Sequence, residues 1–549
     1  MSEAEGFKDA LLAMVDYYEI YFFLIPVSGL VLLFFDGKSK ELSLPQRVGA
    51  ELYNILILSA VSYVFDKFHR VGPDAGMKYI ASIGIRFLAV LAIGYIFCKF
   101  TLYILEKEHV TQISNFFKSK KIGILVFVFF MISLLLQMEG HMNPWASVWY
   151  VISYKDGVAS RLFVGTMLSI LRGDGFLSEN FLLAVFLIAY VLIIVIISVL
   201  FNKYINGVNQ QTKTSACFML LLYLVFPCSI KFLWTKENMG RVETFVILFL
   251  FTAVLLYHKI KNKNIRFLVM SIFTIICMAV YQAYLFLYFP ILFTLLCCDA
   301  DVYPDTIEGN NKKPSSVNSS PDKLTIVWII IVCLCTALSF FVFQFYSNIN
   351  YASAEEMAEI LSGRTDMEID KTALYCELFG SVTESWRSFF EVMIVPGNTE
   401  YLRELGYINL VLLSPVLFLF LLGWTYLFRY SADGLNSFKG LLSNRYLWLL
   451  ASDMLILIQF VLTMDWGRWF AAMMTVQCFQ FMYLHYVGDK GMLKFMAKLN
   501  DFVEKHKVIC AFLIIYLCIL SPMQAAIQTD DSRRILRNIV KALQGLPLQ

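Results

Sequence analysis

Five residues in a row, Asp465-Trp466-Gly467-Arg468-Trp469, place an acid and an arginine three apart, with a glycine between them and an indole on either side of the arginine. That grouping makes a rigid charged rim suited to gripping a phosphate or a sugar, because a guanidinium offers a planar fork of donors and a carboxylate holds it in place. Two other segments carry chemistry-bearing residues. Between 139 and 179 stand Glu139, His141, Asp156 and Arg161, and between 231 and 243 stand Lys231, Lys236, Glu237, Arg241 and Glu243. Taken one at a time, tryptophans and cations at a membrane border anchor and snorkel. Their concentration in three segments is what suggests a site.

The background is strongly apolar. Of 549 residues 59% are hydrophobic, 16% aromatic and 16% charged, against roughly 25% charged in an ordinary soluble domain. Apolar runs recur from end to end, which excludes a soluble multidomain enzyme. The 45 Lys and Arg against 42 Asp and Glu leave a net charge of +3, too small and dispersed for a nucleic-acid footprint. Most of the 12 cysteines lie inside apolar runs and no CxxC pair occurs, so neither a disulfide framework nor a zinc site is expected.

A membrane-spanning helix needs about 20 mostly apolar residues. Such runs lie near 17–35, 47–65, 81–105, 121–138, 180–201, 215–232, 242–257, 265–281, 283–298, 324–346, 408–428, 446–463, 469–487 and 508–523. The expected fold class is therefore all-α, a polytopic membrane protein of about 14 transmembrane helices. Lys/Arg bias orients it. With both termini outside, the inner loops hold Lys38, Lys40 and Arg47, then Lys107, Lys118, Lys120 and Lys121, then Lys259, Lys261, Lys263 and Arg266, and lastly Lys490 to Lys507. All three chemistry-bearing segments then fall on the outer face, together with a larger acidic outer loop, 347–407. Residues 158–171 place Leu162, Phe163, Met167, Leu168 and Leu171 at helical spacing, as expected of an amphipathic helix lying on the membrane surface. The regions expected are 1–120, N-terminal helices; 121–346, a core with outer loop 139–179; 347–407, an extracytoplasmic loop domain; and 408–549, C-terminal helices and an outer tail.

Two charges look deeper, Arg86 and Asp453, and would pair with each other or line a pathway. Asp299-Ala300-Asp301 sits in a Pro/Ser/Asn-rich stretch that reads as a linker without a nucleotide-binding domain around it. No Walker A loop, GxSxG elbow or HExxH helix is present, so ATP-driven transport, lipase-like hydrolysis and zinc proteolysis lack a basis.

Many spans, an outer loop carrying an acid and then a surface helix after an outward-going span, and further outer basic residues give a layout that resembles the C-type (GT-C) integral membrane glycosyltransferases. The resemblance is architectural and covers the chain from about residue 121 onward. In that family the acid follows the first span; here it follows the fourth. The resemblance implies transfer of a sugar from a polyprenyl-phosphate-linked donor to a glycan, lipid or protein acceptor on the outer face, with no nucleotide cofactor and with metal dependence open. A carboxylate would take the acceptor's proton: Asp156 first, Glu139 second, Asp465 as the alternative. Arg161, Lys236, Arg241 and Arg468 would stabilise the leaving phosphate, with Trp466 and His141 as further substrate contacts. Polysaccharide polymerases that join lipid-linked repeat units belong to the same reaction class. A secondary transporter or a flippase of lipid-linked saccharide is the alternative, and a noncatalytic scaffold using 347–407 is a third. The expected compartment is a bacterial-type plasma membrane.

Overall fold

The computed structural model describes residues 107–138, 141–173, 176–235, 238–298, 323–380, 400–430, 444–462 and 465–519. The chain divides into two compact units, Met1–Lys121 and Ile122–Gln549, and apart from the start of the first described helix everything below lies in the second. Its described residues are helical almost throughout. The described helices are α1 (Lys107–Gln137), α2 (Pro144–Ser147), α3 (Leu162–Arg172), α4 (Glu179–Gly207), α5 (Lys213–Val225), α6 (Glu243–Lys259), α7 (Lys263–Val280), α8 (Tyr284–Leu287) and α9 (Phe289–Cys297). They continue with α10 (Lys323–Phe345), α11 (Ala354–Ser362), α12 (Lys371–Leu374), α13 (Glu400–Tyr430), α14 (Arg445–Met454), α15 (Ile456–Leu462), α16 (Trp466–Tyr486), α17 (Lys490–Lys505) and α18 (Lys507–Ile519). Two short strands, β1 (Gly157–Val158) and β2 (Asn348–Ile349), pair antiparallel.

Four stretches among the described residues are long and apolar enough to cross a membrane: Glu179–Gly207, Lys213–Trp234, Lys263–Val280 and Ile326–Phe345. Their outward faces are apolar at helical spacing, for example Ile188, Leu192, Val195 and Val199 on α4 and Ile330, Leu334, Leu338 and Phe341 on α10. Apolar stripes of this extent are unstable against water and fit a lipid surround. The structure does not reach fourteen spans. The runs at 17–35, 47–65 and 81–105 lie outside the described residues. The run 283–298 is interrupted at Tyr288, where Pro290 starts α9 afresh, and 446–463 is interrupted at Leu455.

Helices α4, α6 and α16 run side by side in the same direction. Phe186 of α4 meets Phe245 of α6 near their starts, and Tyr204, His258, Tyr483 and Tyr486 meet at their far ends. The bundle therefore has two distinct ends. One gathers the first turns of α6 and α16, the last residue before the break after α7, and the segment 141–178.

That segment folds tightly. Helix α3 buries Leu162, Val164, Gly165 and Leu168 and exposes Met167, Ile170 and Leu171, so a helix is present where one is expected, with its last turn apolar on the outside. Its inner face sits directly on the turn before it. A Cβ on Gly165 would stand 1.9 Å from the Ile152 carbonyl oxygen and 2.9 Å from that of Trp149. Gly157, at φ +148°, lies just as close to Asn348 across the strand pair.

The region 347–407 is not a separate body over its described part. Besides the strand pair, Leu177 bridges Thr365, Asp366 accepts from the Glu179 amide at 2.8 Å, and the Thr365 hydroxyl donates to the Leu177 carbonyl at 2.6 Å. Residues 348–380 thus fasten onto 156–179. Gly165→Ala is expected to lower the melting temperature of the detergent-extracted protein, at a cost of about 1–3 kcal/mol for overpacking. Gly363→Ala, whose Cβ would meet only an oxygen at 3.5 Å, is the control expected to melt like the wild type.

Candidate functional site

Asp156 closes the turn after Tyr150. Its own amide donates to the Ser153 carbonyl, and its Oδ2 accepts from the Ser153 amide, both at 2.9 Å. Arg364 then grips the carboxylate with both terminal nitrogens, at 2.9 and 3.0 Å, and the Tyr351 hydroxyl donates to Oδ1 at 2.5 Å. Asp156 is 2% exposed. Burial alone would raise its pKa, but the hydrogen bonds from Arg364, Tyr351 and Ser153 outweigh burial and hold the carboxyl below the usual Asp range. A carboxylate saturated by donors and stabilised in its ionised form is a poor proton acceptor. Asp156, expected from the sequence to be the first-choice base, therefore serves to lock 153–158 onto 348–364.

A second cluster lies beside it. Arg468, on the first turns of α16, pairs with Asp465, the residue that caps that helix, and with Glu243 at the start of α6. One of its nitrogens also reaches the Tyr281 hydroxyl at 3.2 Å. Arg468 is 5% exposed and Glu243 1%. Next to Tyr281 comes Arg161, its guanidinium 4.9 Å from that ring and 5.0 Å from the Trp149 ring, paired with Glu377 at 2.7 Å.

Arg161 is held in the left-handed region at φ 77°, the one non-glycine residue at positive φ among the described residues. A backbone like this costs about 1 kcal/mol or more in an L-residue. The cost is met because Arg161 donates its amide to the Ala279 carbonyl at 3.0 Å, which fixes the start of α3 against the end of α7.

Arg241 completes the group. Its field is the largest of those opposing the effect of burial on Asp465, ahead of Arg161. Burial nonetheless wins, helped by Glu377, and the Asp465 carboxyl sits above the usual Asp range. Arg241 differs from the other two arginines: among the described residues its guanidinium has no hydrogen bond or ion pair, and its Nε is buried without a partner. Glu243 Oε2, Arg468 Nε and Asn238 Oδ1 are likewise buried and unpartnered. The cluster opens on the acidic side, where Asp465 and Glu377 each keep 31% of their side chain exposed.

Four of the nine residues expected from the sequence therefore meet at one end of the bundle: Arg161, Arg241, Asp465 and Arg468. Asp156 joins them only as the neighbouring lock. His141 does not belong. It is exposed and 3.8 Å from Glu179, whose carboxylate accepts from the Met142 amide. Glu139 and Lys236 lie outside the described residues, and Trp466 contributes its backbone to α16 with its side chain likewise outside. The expected pairing of Asp453 with Arg86 also falls there for its arginine, while Asp453 accepts hydrogen bonds from Gln477 and Gln480.

Sequence reasoning missed Trp149, Tyr281, Tyr351, Arg364 and Glu377 as site residues. Tyr281 carried a signal, since it ends an apolar helical run one turn before Tyr284. Glu377 and Arg364 carried none, being two charges in a loop full of them. Among the described residues no group of three His, Cys, Asp or Glu side chains is placed to hold a metal ion. No protein-family model matches the sequence, and comparison with curated proteins and with solved structures finds no match.

Asp156→Asn is expected to destabilise the protein at neutral pH by about 1–3 kcal/mol, the cost of leaving buried donors short of an acceptor, reduced where Arg364 reaches solvent. Because the folded pKa is depressed, this contribution is present above the unfolded pKa of about 3.9 and fades as pH falls through the folded value. Thermal melts from neutral to acid pH check it: the gap between wild type and variant should close on the acid side.

Proposed function

We propose that the chain is a membrane glycosyltransferase that moves a sugar from a polyprenyl-phosphate-linked donor to a cell-surface acceptor at the membrane face bearing the arginine cluster. The observation that carries this reading is Arg241, a guanidinium without hydrogen bond or ion pair among the described residues, standing with two further arginines around a partly exposed acid. Nearby buried polar atoms without partners need an explanation: a phosphate would answer the donors Arg241 Nε and Arg468 Nε, and sugar hydroxyls would answer the acceptors Glu243 Oε2 and Asn238 Oδ1.

The division of labour follows from the contacts. Arg241 meets the phosphate first, because it gives up no existing pair to do so. Arg161 and Arg468 add field from behind, each oriented by its own carboxylate. As the bond from the anomeric carbon to the phosphate oxygen breaks, the electron pair stays on that oxygen, and fixed guanidinium charge stabilises it. Asp465 accepts the proton of the acceptor hydroxyl as the new glycosidic bond forms. Its raised pKa makes it a better proton acceptor than Asp156, whose carboxyl is held low. Trp149 and Tyr281 keep the Arg161 guanidinium in register between two rings.

The apolar spans favour a bilayer setting, and the basic segments of the sequence favour an extracytoplasmic position for this end of the bundle. A flippase for the same lipid-linked saccharide would use the arginines but not an acid as base. That difference separates the readings.

Asp465→Asn is expected to cut transfer by about 10²–10⁴-fold, the usual worth of a general base, while leaving donor lipid bound. With Asp465 as the base, wild-type transfer falls on acidification, and because its pKa is raised the fall begins above the pH at which an ordinary Asp would lose its charge. Following donor-lipid consumption in membranes across pH tests both. Full transfer by Asp465→Asn would remove Asp465 as the base, whereas donor lipid bound but consumed by neither wild type nor variant would remove the transferase reading and leave carrier binding without chemistry.

A further inference from the structure

Asp453, far from the arginine cluster in function and in partners, lies near the end of α14 and is 4% exposed. Its Oδ2 accepts from Gln477 Nε2 at 2.6 Å and its Oδ1 from Gln480 Nε2 at 2.8 Å. Behind these amides stand neutral groups only. Gln477 Oε1 accepts from the Trp424 indole of α13 at 2.5 Å, and Gln480 Nε2 also donates to the Thr294 hydroxyl of α9 at 3.0 Å.

None of these groups is charged, and among the described residues no side chain supplies Asp453 with a counter-charge. Arg445, on the same helix, is taken by Asp489. Of the further elements packed on α14, α15 contains no titratable residue, α8 contributes Tyr284, whose hydroxyl interacts with Thr274, α9 contributes the thiol of Cys297, and α13 contributes Tyr426, which lies under Lys498, and Arg429, neither of them with a described bond to Asp453. An ionised carboxylate in such a place bears the full cost of leaving water with only two amide donors to offset it. A neutral carboxylic acid does not.

Gln480 holds the second half of the inference. Its Oε1 is buried without a hydrogen-bond partner. The two ends of a glutamine amide exchange places by rotation, one end a donor and the other an acceptor. In one orientation Nε2 donates to an ionised Asp453; in the other Oε1 accepts from a protonated one. The same 2.8 Å contact serves both charge states.

We propose that Asp453, Gln477 and Gln480 form a buried proton-binding site, with the proton resident on Asp453 at neutral pH and Gln480 rotating to accommodate its arrival or departure. Buried carboxyls without a counter-charge are candidates for proton-linked steps, and this one is independent of the glycosyl-transfer reading.

Infrared spectroscopy of the reconstituted full chain tests it. At neutral pH the wild type should show the carbonyl stretch of a protonated carboxylic acid that shifts on ¹³C-aspartate labelling. The band should be lost in Asp453→Asn, survive with unlabelled frequency in Asp453→Glu, and disappear at strongly alkaline pH. Adding sodium or potassium at fixed pH should leave it unchanged. Absence of the band in labelled wild type, a readout that needs no variant to fold, would overturn the proposal. So would its loss on adding sodium, which would make the occupant a metal cation.

Discussion

A buried guanidinium must be surrounded by acceptors or it does not stay buried, and Arg468 is the place where this constraint organises the molecule. Its partners come from three directions: Asp465 from the turn before its own helix, Glu243 from the first turn of α6, and Tyr281 from just after α7. Removing any of them leaves charge without compensation in a region only a few per cent exposed. The ends of three helices therefore have to meet at one level. Arg161 repeats the device alongside, tied to Glu377 and to the same tyrosine. The formal charges of the six groups, three arginines against Glu243, Glu377 and Asp465, cancel. That balance lets such a cluster exist, while Arg241 is left uncommitted within it.

Three aspartates show how environment separates one residue type into different tasks. Asp156 is wrapped by a bidentate arginine, a tyrosine and a backbone amide, and is best ionised. Asp465 faces arginines but is crowded by burial and by Glu377, so it holds its negative charge less firmly. Asp453 meets only amides. The contacts of Asp156 make a lock, and those of the other two support the roles proposed for them, an exchangeable proton acceptor and a proton-holding acid. The helix α16 carries partners of the last two, with Arg468 and Gln480 about 18 Å apart along its axis at 1.5 Å per residue.

Much of the helical architecture is legible in the sequence because apolar runs and their Pro or polar interruptions are local signals. The polar residues around Asn262 mark a helix start that the structure retains, whereas the break at Pro290 inside the run 283–298 is a local signal that the run's apolar character hid. The rim Asp465-Trp466-Gly467-Arg468 is legible for the same reason: its two charges are three apart and meet on one turn. What is not legible is long-range. Arg364 lies 208 residues from Asp156 and Glu243 lies 225 from Arg468, and nothing in the composition of 347–407 distinguishes Arg364 or Glu377 from their charged neighbours. In the sequence Asp156 looks free because its partner Arg364 is distant, and His141 stands near the acids only along the chain.

The claim at the centre of this account is that three arginines at one end of the bundle form a single site for a lipid-borne phosphate. Native mass spectrometry with a short-chain polyprenyl phosphate as probe tests it most directly, comparing wild type with Arg241→Ala, a substitution that breaks no described ion pair, and with His141→Ala. One equivalent of bound lipid in the wild type and in His141→Ala, lost in Arg241→Ala, is the result the account predicts. Equal binding by all three proteins would contradict it.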